Sequence, residues 1–131
     1  MTGDIPVYPY FPEAEFNALG CSAADMDPGF MARLVAVRRR LGFPLILRSA
    51  YRTPEHNMRV SRTGRAGPHT TGRAVDIWLY DARVFDLMEA ARVEGMTGIG
   101  LDLSGPVSTR FVHLDDLPAG PDRPRPWIWT Y

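Results

Sequence analysis

The chain carries three histidines, His56, His69 and His113, and two of them stand where metal chemistry is possible. His69 lies in Gly67-Pro68-His69-Thr70-Thr71-Gly72-Arg73-Ala74-Val75-Asp76-Ile77, on a loop that feeds a predicted strand containing Asp76. A turn at Gly72 would fold His69 back beside Asp76. His113 falls in a second predicted strand and can project from the same sheet face. Two imidazoles and one carboxylate suit tetrahedral zinc with one position open. Such a site activates bound water near neutral pH. The spacing alone is weak, because a histidine and an acid seven positions apart recur by chance; a set of ordinary polar residues is then the simpler account.

The elements that must position these residues are legible in outline. Residues 1–27, rich in proline and aromatics, read as an irregular arm packed on the domain. Asp27-Pro28 is a helix start, a capping acid followed by proline at the first helical position. Phe30, Leu34, Val37 and Leu41 then recur at helical spacing over 28–41, and Gly42 stops the helix. Its last turn, Arg38-Arg39-Arg40, reads as a solvated cationic end facing the helix dipole. Pro44 to Ala50 reads as a buried strand, 54–60 as a short helix and 61–68 as a loop. From Arg73 to Tyr80 the pattern alternates, with Ala74, Asp76 and Trp78 on one face and Val75, Ile77 and Leu79 on the other. Asp81 is the expected cap of a helix reaching about Glu94, ended by Gly95. Residues 98–101, 110–114 and 126–131 read as further strands. Helices followed mostly by strands predict an α+β fold, with flanking helices on a small, largely antiparallel sheet. No repeat or linker divides residues 1–131, so one domain is expected.

Composition removes several function classes. With 131 residues and 45% hydrophobic content, the chain can bury a core. Fifteen basic and fifteen acidic residues balance, which argues against nucleic acid or an anionic membrane as partner. Every basic residue is arginine, so Schiff-base, P-loop and Ser-Lys lysine chemistries are absent. Cys21 alone can form no internal disulfide and reads as a small buried hydrophobe. No apolar run approaches a membrane span, and residues 1–6 lack the marks of a secretory signal. Neither a Gly-x-Ser-x-Gly elbow nor a His-Glu-x-x-His helix is present, and Gly98-Ile99-Gly100 is no dinucleotide fingerprint.

The flanking words make the His-Asp-His set specific. Ser49-Ala50-Tyr51-Arg52-Thr53-Pro54-Glu55-His56-Asn57 comes first, then His69 to Ile77, then Gly98-Ile99-Gly100, then Phe111-Val112-His113-Leu114-Asp115. In this order they resemble the zinc D-Ala-D-Ala carboxypeptidase family, which includes VanX/VanY-type peptidases and many phage endolysins. The short single-domain branch is the most similar, and the likeness spans roughly residues 13–117. The resemblance implies a hedgehog/DD-peptidase α+β fold with zinc in a cleft on the sheet. It implies His69, Asp76 and His113 as zinc ligands. It also implies that Tyr51 and Arg52 lie in the substrate site, with Arg52 on the scissile region or a terminal carboxylate. A guanidinium fork pairs well with either a carboxylate or a developing oxyanion.

Two departures bear on activity. Many members place serine two positions before the first zinc histidine, where this chain has Gly67. The dipeptidase branch places an acid three positions before the last zinc histidine, where this chain has Arg110. The short branch has an acid two positions after it, here Asp115. On a strand Asp115 points the same way as His113, as a general base for metal-bound water or as a hydrogen-bond partner of a ligand; both roles stay open. For Arg52 the plain alternative is a salt bridge with Glu55. Tyr51 either lines the cleft or packs. His56 reads as a structural hydrogen-bonder, Glu55 as a first-turn helix acid, and Asp102 and Asp116 as turn acids. Trp127 and Trp129 share a face, one as core or edge cover, with Trp127 a candidate wall of the substrate groove.

The expected activity is hydrolysis of a peptide bond next to a D-amino acid in a peptidoglycan stem peptide, by a monomer. The contrasting expectation is a non-catalytic module of a phage particle or envelope assembly that holds metal and cell-wall peptide. Synthesis in the cytoplasm is expected, with work in the periplasm or cell wall after phage-type release.

Overall fold

A computed structural model describes residues 8–131. Residues 1–7 of the expected arm, and the stretch read as lacking a secretory signal, lie outside the described residues. Four helices, α1 (Glu13–Ala18), α2 (Pro28–Leu41), α3 (Pro54–Val60) and α4 (Arg83–Val93), accompany five strands. The strands are β1 (Ile46–Ser49), β2 (Ala74–Trp78), β3 (Gly98–Asp102), β4 (Phe111–Asp115) and β5 (Trp127–Thr130). They form one sheet in the order β1-β2-β4-β3-β5. The α+β expectation holds at this level.

The longest helix follows from its ends. The Asp27 carboxylate accepts from the Phe30 N–H at 2.9 Å, and Pro28 occupies the first turn. Gly42 closes the helix at φ 72°. The face carrying Phe30, Leu34 and Val37 is buried with Leu87 and Ala91 of α4 against Leu47, Val75, Ile77, Val112 and Leu114 of the sheet.

Three expectations need correction. The arm is not irregular throughout: residues 13–18 are α-helical and 23–25 form a 3-10 turn. Glu13 and Glu15 explain why it is fixed, accepting from the backbone N–H of Ala23 (2.7 Å) and of Leu47 (2.9 Å). Asp81 does not cap α4. The residue preceding the helix is Ala82, and Asp81 instead takes the backbone N–H and guanidinium of Arg83. The sheet is mixed rather than antiparallel. Three pairings are antiparallel, but β5 runs parallel to β3. The chain leaves β4 beside Gly98, passes the start of β3 and returns on its far side. This makes β5 antiparallel in sense to β4 and parallel to the strand between them.

The ladder registers sort side chains into rows. Ser49, Asp76, His113, Gly100 and Trp129 align across all five strands. Asp115 lies in the next row with Ala74, Gly98 and Trp127, and Phe111 lies in the row on the other side with Trp78 and Asp102. With the period of two, these rows occupy one face and the apolar core the other.

Candidate active site

Asp76, His113 and Trp129 of the central row form the floor of a cleft of about 1070 Å³. His69 reaches it from a 3-10 turn, Pro68–Thr71, that ends at Gly72 in the left-handed region (φ 73°). A Cβ on Gly72 would stand 2.5 Å from the Asp25 carbonyl oxygen, so only glycine allows this turn to fold back against the start of α2. Asp76 and His113 face one another on adjacent strands. All three residues are buried.

Their hydrogen bonds fix which nitrogens are bare. His69 Nδ1 is 2.9 Å from the Ala50 carbonyl oxygen, which can only accept, so Nδ1 carries the proton. Its Nε2 then presents a lone pair to Asp76 Oδ1 at 3.2 Å. His113 Nε2 donates to Asp115 Oδ2 at 2.7 Å, so its Nδ1 likewise presents a lone pair to Asp76 Oδ1, at 3.1 Å. Three acceptor atoms, all within 4.8 Å of one another, thus converge in a buried space. Lone pairs facing a carboxylate oxygen need a cation or protons between them, and two imidazoles with a carboxylate are a metal-ligand set. The residues present fit a metal ion. Without one, a proton fills the gap: burial pulls the His113 pKa down, but Asp115 and Asp76 outweigh burial and raise it. Burial raises the Asp76 pKa, yet bonding to His113 and His69 leaves it well below the usual carboxylate range.

Asp115 stands at the ring nitrogen remote from Asp76. Beyond His113, its oxygens take the guanidinium of Arg125 at 3.0 and 2.8 Å and the Leu117 N–H at 3.2 Å. It is fully buried. Of the two roles left open, this is the geometry of a residue that orients His113; the general-base role would need an oxygen facing the metal side. Arg110, at the position where the dipeptidase branch has its acid, points away and donates to the Gly105 carbonyl at 2.7 Å.

Arg52 reaches the same floor. Its guanidinium donates to Asn57 Oδ1 and Ser49 Oγ, both at 3.1 Å, and lies 3.8 Å from Asp76 Oδ2. Burial lowers its pKa, Asp76 opposes this and Arg48 adds to it. Glu55 pairs instead with Arg65 at 2.8 Å, so the salt bridge considered for Arg52 is not formed. Tyr51 is half-buried and lines a smaller neighbouring cavity beside Arg52, together with His56. Trp127 is exposed and lines the main cleft. Asp116 is no free turn acid: it is buried and paired with Arg73 at 2.8 Å and Arg33 at 3.3 Å. Asp102 ends β3 and lines the cleft.

Three contributors escaped sequence reasoning, Arg125, Tyr131 and Arg48, and Trp129, expected as one of a pair sharing a strand face, takes a definite place. Trp129 packs on the His113 ring at 5.1 Å between centroids. Arg125 closes the far side of Asp115. Tyr131 packs at a tilt against Phe111, 5.1 Å between centroids, and burial, helped by the Asp76 charge, pushes its phenol up to about 12. Arg48 contacts Asp76 Oδ2 at 3.3 Å. One signal was available. Gly98-Ile99-Gly100 leaves space above the sheet: a Cβ on Gly98 would stand 2.5 Å from both Asp115 oxygens, and one on Gly100 would stand 2.6 Å from Trp129 Nε1. Alternating glycines in a strand mark a close approach of something large.

A mixed sheet with a buried His-Asp-His cluster at the base of a cleft defines a candidate mononuclear metal centre. Residues 13–115 match the family model for Peptidase M15, and the chain belongs to that family. Membership implies a metal-dependent peptidase. Neither the curated proteins nor the solved structures give a match. Among the described residues, no helix is long and apolar enough to cross a membrane.

Proposed function

We propose that the protein is a single-domain zinc peptidase of the VanX/VanY-like short branch, with a hedgehog/DD-peptidase fold. It hydrolyses a peptide bond next to a D-amino acid in the peptidoglycan stem peptide, most simply D-Ala-D-Ala. The observation that carries this reading is the convergence of His69 Nε2, His113 Nδ1 and Asp76 Oδ1 on one buried point at the cleft floor. His69, Asp76 and His113 would hold the metal. A bound zinc ion supplies Lewis acidity and a water of lowered pKa.

The chain's own residues do the rest. Asp115 holds the Nε2–H of His113 and so keeps Nδ1 aimed at the metal. Arg52, anchored by Asn57 and Ser49, carries positive charge to the developing oxyanion or to a substrate carboxylate. Trp127 bounds the substrate as a wall of the groove, and Tyr51 receives a neighbouring part of it in the smaller cavity beside Arg52. The working site on this reading is the periplasm or cell wall.

One observation favours a second reading. Asp115, the base considered from sequence, has its oxygens committed to His113, Arg125 and Leu117. A module that binds metal and cell-wall peptide without cutting it needs no base. Mass spectrometry of purified muropeptides incubated with zinc-loaded protein, against a chelated control, separates the two. Metal-dependent loss of a terminal D-Ala establishes a carboxypeptidase, and splitting of crosslinked dimers an endopeptidase. No metal-dependent product from either substrate leaves the binding module.

A further inference from the structure

Arg48 has no assigned role, yet it is held in place with care. β1 carries a bulge: Leu47 pairs with Ile77 and Ser49 with Asp76, so Arg48 is the extra residue. A bulge lets two consecutive side chains reach one face. Here Arg48 and Ser49 both do so, Arg48 contacting Asp76 and Ser49 contacting His69. The Arg48 guanidinium lies over Phe111 at 4.1 Å and beside Trp78 at 5.4 Å, so its position is fixed by two rings as well as by its ion pair with Asp76. Among the described residues its hydrogen-bond partner is Asp76 Oδ2 alone, at 3.3 Å. A guanidinium has five N–H donors, and most of these are free.

Its surroundings favour an anion. The side chain is 34% exposed against 14% for Arg52, so Arg48 is the more accessible of the two guanidiniums on the cleft floor. Both arginines also line the smaller neighbouring cavity of about 350 Å³, whose other walls include Leu19, Val60 and Trp78. Arg48 therefore stands on the partition between the metal cleft and a partly apolar side pocket. A peptide whose scissile bond lies over the His-Asp-His floor would bring a neighbouring residue to this partition.

We propose that Arg48 is the carboxylate-binding residue of the cleft and selects peptides bearing a free carboxylate beside the scissile bond, leaving Arg52 for the oxyanion. This deepens the peptidase reading and rests on it. The carboxylate has two possible sources, a chain terminus or an acidic side chain.

The test is titration calorimetry of the full chain, with peptides on the metal-free protein so that binding is read without turnover, and with zinc titrated separately. The probes are N-acetyl-D-Ala-D-Ala, its C-terminal amide, and N-acetyl-D-Glu-D-Ala amide, which carries its carboxylate on a side chain. Wild-type protein is expected to bind at least one acid tenfold or more tightly than the plain amide. The acid that does so identifies the source. Arg48→Gln is expected to remove most of that preference, Arg48→Lys to keep part of it, and zinc affinity to stay within about threefold in both. Arg48→Lys retains the cationic stem over Phe111 and guards against a merely misfolded glutamine variant. An unchanged acid-to-amide ratio in Arg48→Gln overturns the proposal. So does an equal loss for all three probes together with lost zinc, which would make Arg48 a support of Asp76. Absence of muropeptide cleavage with the carboxylate preference intact would sink the peptidase reading and leave the binding role standing.

Discussion

Asp115 Oδ2 lies 2.7 Å from Nε2 of His113, on the side of the ring opposite Asp76. Two positions apart on β4, the acid and the imidazole share a face, and the glycine across from Asp115 makes room for a third partner, Arg125. The imidazole is thus fixed in tautomer and in direction by a carboxylate that is itself fixed. Partners of this kind tune the ligand even though they never touch the metal.

Asp115→Asn is accordingly expected to weaken metal binding by roughly 10–100-fold, read by competition with a metal indicator. It also leaves the Arg125 guanidinium buried without its counter-charge, so stability falls as well. Adding Arg125→Gln to Asp115→Asn should restore stability, measured by chemical denaturation, without restoring affinity. Parallel recovery of both would show that Asp115 acts through general stability and not through His113.

The same cluster sets the pH response of the metal-free protein. Asp76 and Asp115 have depressed pKa values: burial opposes ionisation, but His113 with His69 for the first, and His113 with Arg125 for the second, outweigh it. Their contribution is present above the unfolded carboxylate value of about 3.9 and is lost as pH falls. His113 is raised, burial being outweighed by Asp115 and Asp76. Its contribution is complete below the unfolded value of about 6.5 and is lost as pH rises through the folded value. Unfolding midpoints of chelated protein should therefore peak between about pH 4 and 6.5. Zinc-loaded protein should lose the alkaline decline, because metal takes the place of the proton on His113. Chelated protein that keeps gaining stability up to pH 9 would contradict this account.

What was legible was local. Asp27-Pro28 and Gly42 delimit a helix because caps act over one turn. Alternation from Ala74 to Trp78 assigns faces because the strand period is two. Asp76 and His113 could be placed together since each sits in a strand of that kind. What was not legible depends on distant pieces of chain. Nothing in Arg125 points to Asp115, because the 116–126 connection must first return across β3. The bulge that adds Arg48 to the site face is set by pairing with β2, and β1 alone reads as an ordinary apolar strand. For Asp115 the sequence left a base and a partner of His113 equally open, because Arg125 and the Leu117 N–H reach it only through the fold.

The departure at Gly67 has a steric origin that can be tested directly. A Cβ there would lie 1.9 Å from Thr63 Oγ1, 2.7 Å from Thr63 Cβ and 2.8 Å from Asn57 Nδ2. The Thr63 side chain fills the place where a serine at 67 would begin. Asn57 donates to that hydroxyl at 2.9 Å and accepts from Arg52 at 3.1 Å, so crowding at 67 reaches the guanidinium over the cleft floor. Gly67→Ser should cost about 1–3 kcal/mol, the usual range for overpacking, and should weaken peptide binding with it. Thr63→Gly, chosen because alanine would keep the offending Cβ, should cost about 1 kcal/mol through its lost hydrogen bond. Together the two changes should cost less than their sum by more than about 0.5 kcal/mol, since each relieves the other. Denaturation of the four proteins in the cycle gives the coupling, and peptide titration shows whether Arg52 recovers. Strict additivity would mean that Thr63 does not hold the space, and that the missing serine is a true gap in the site.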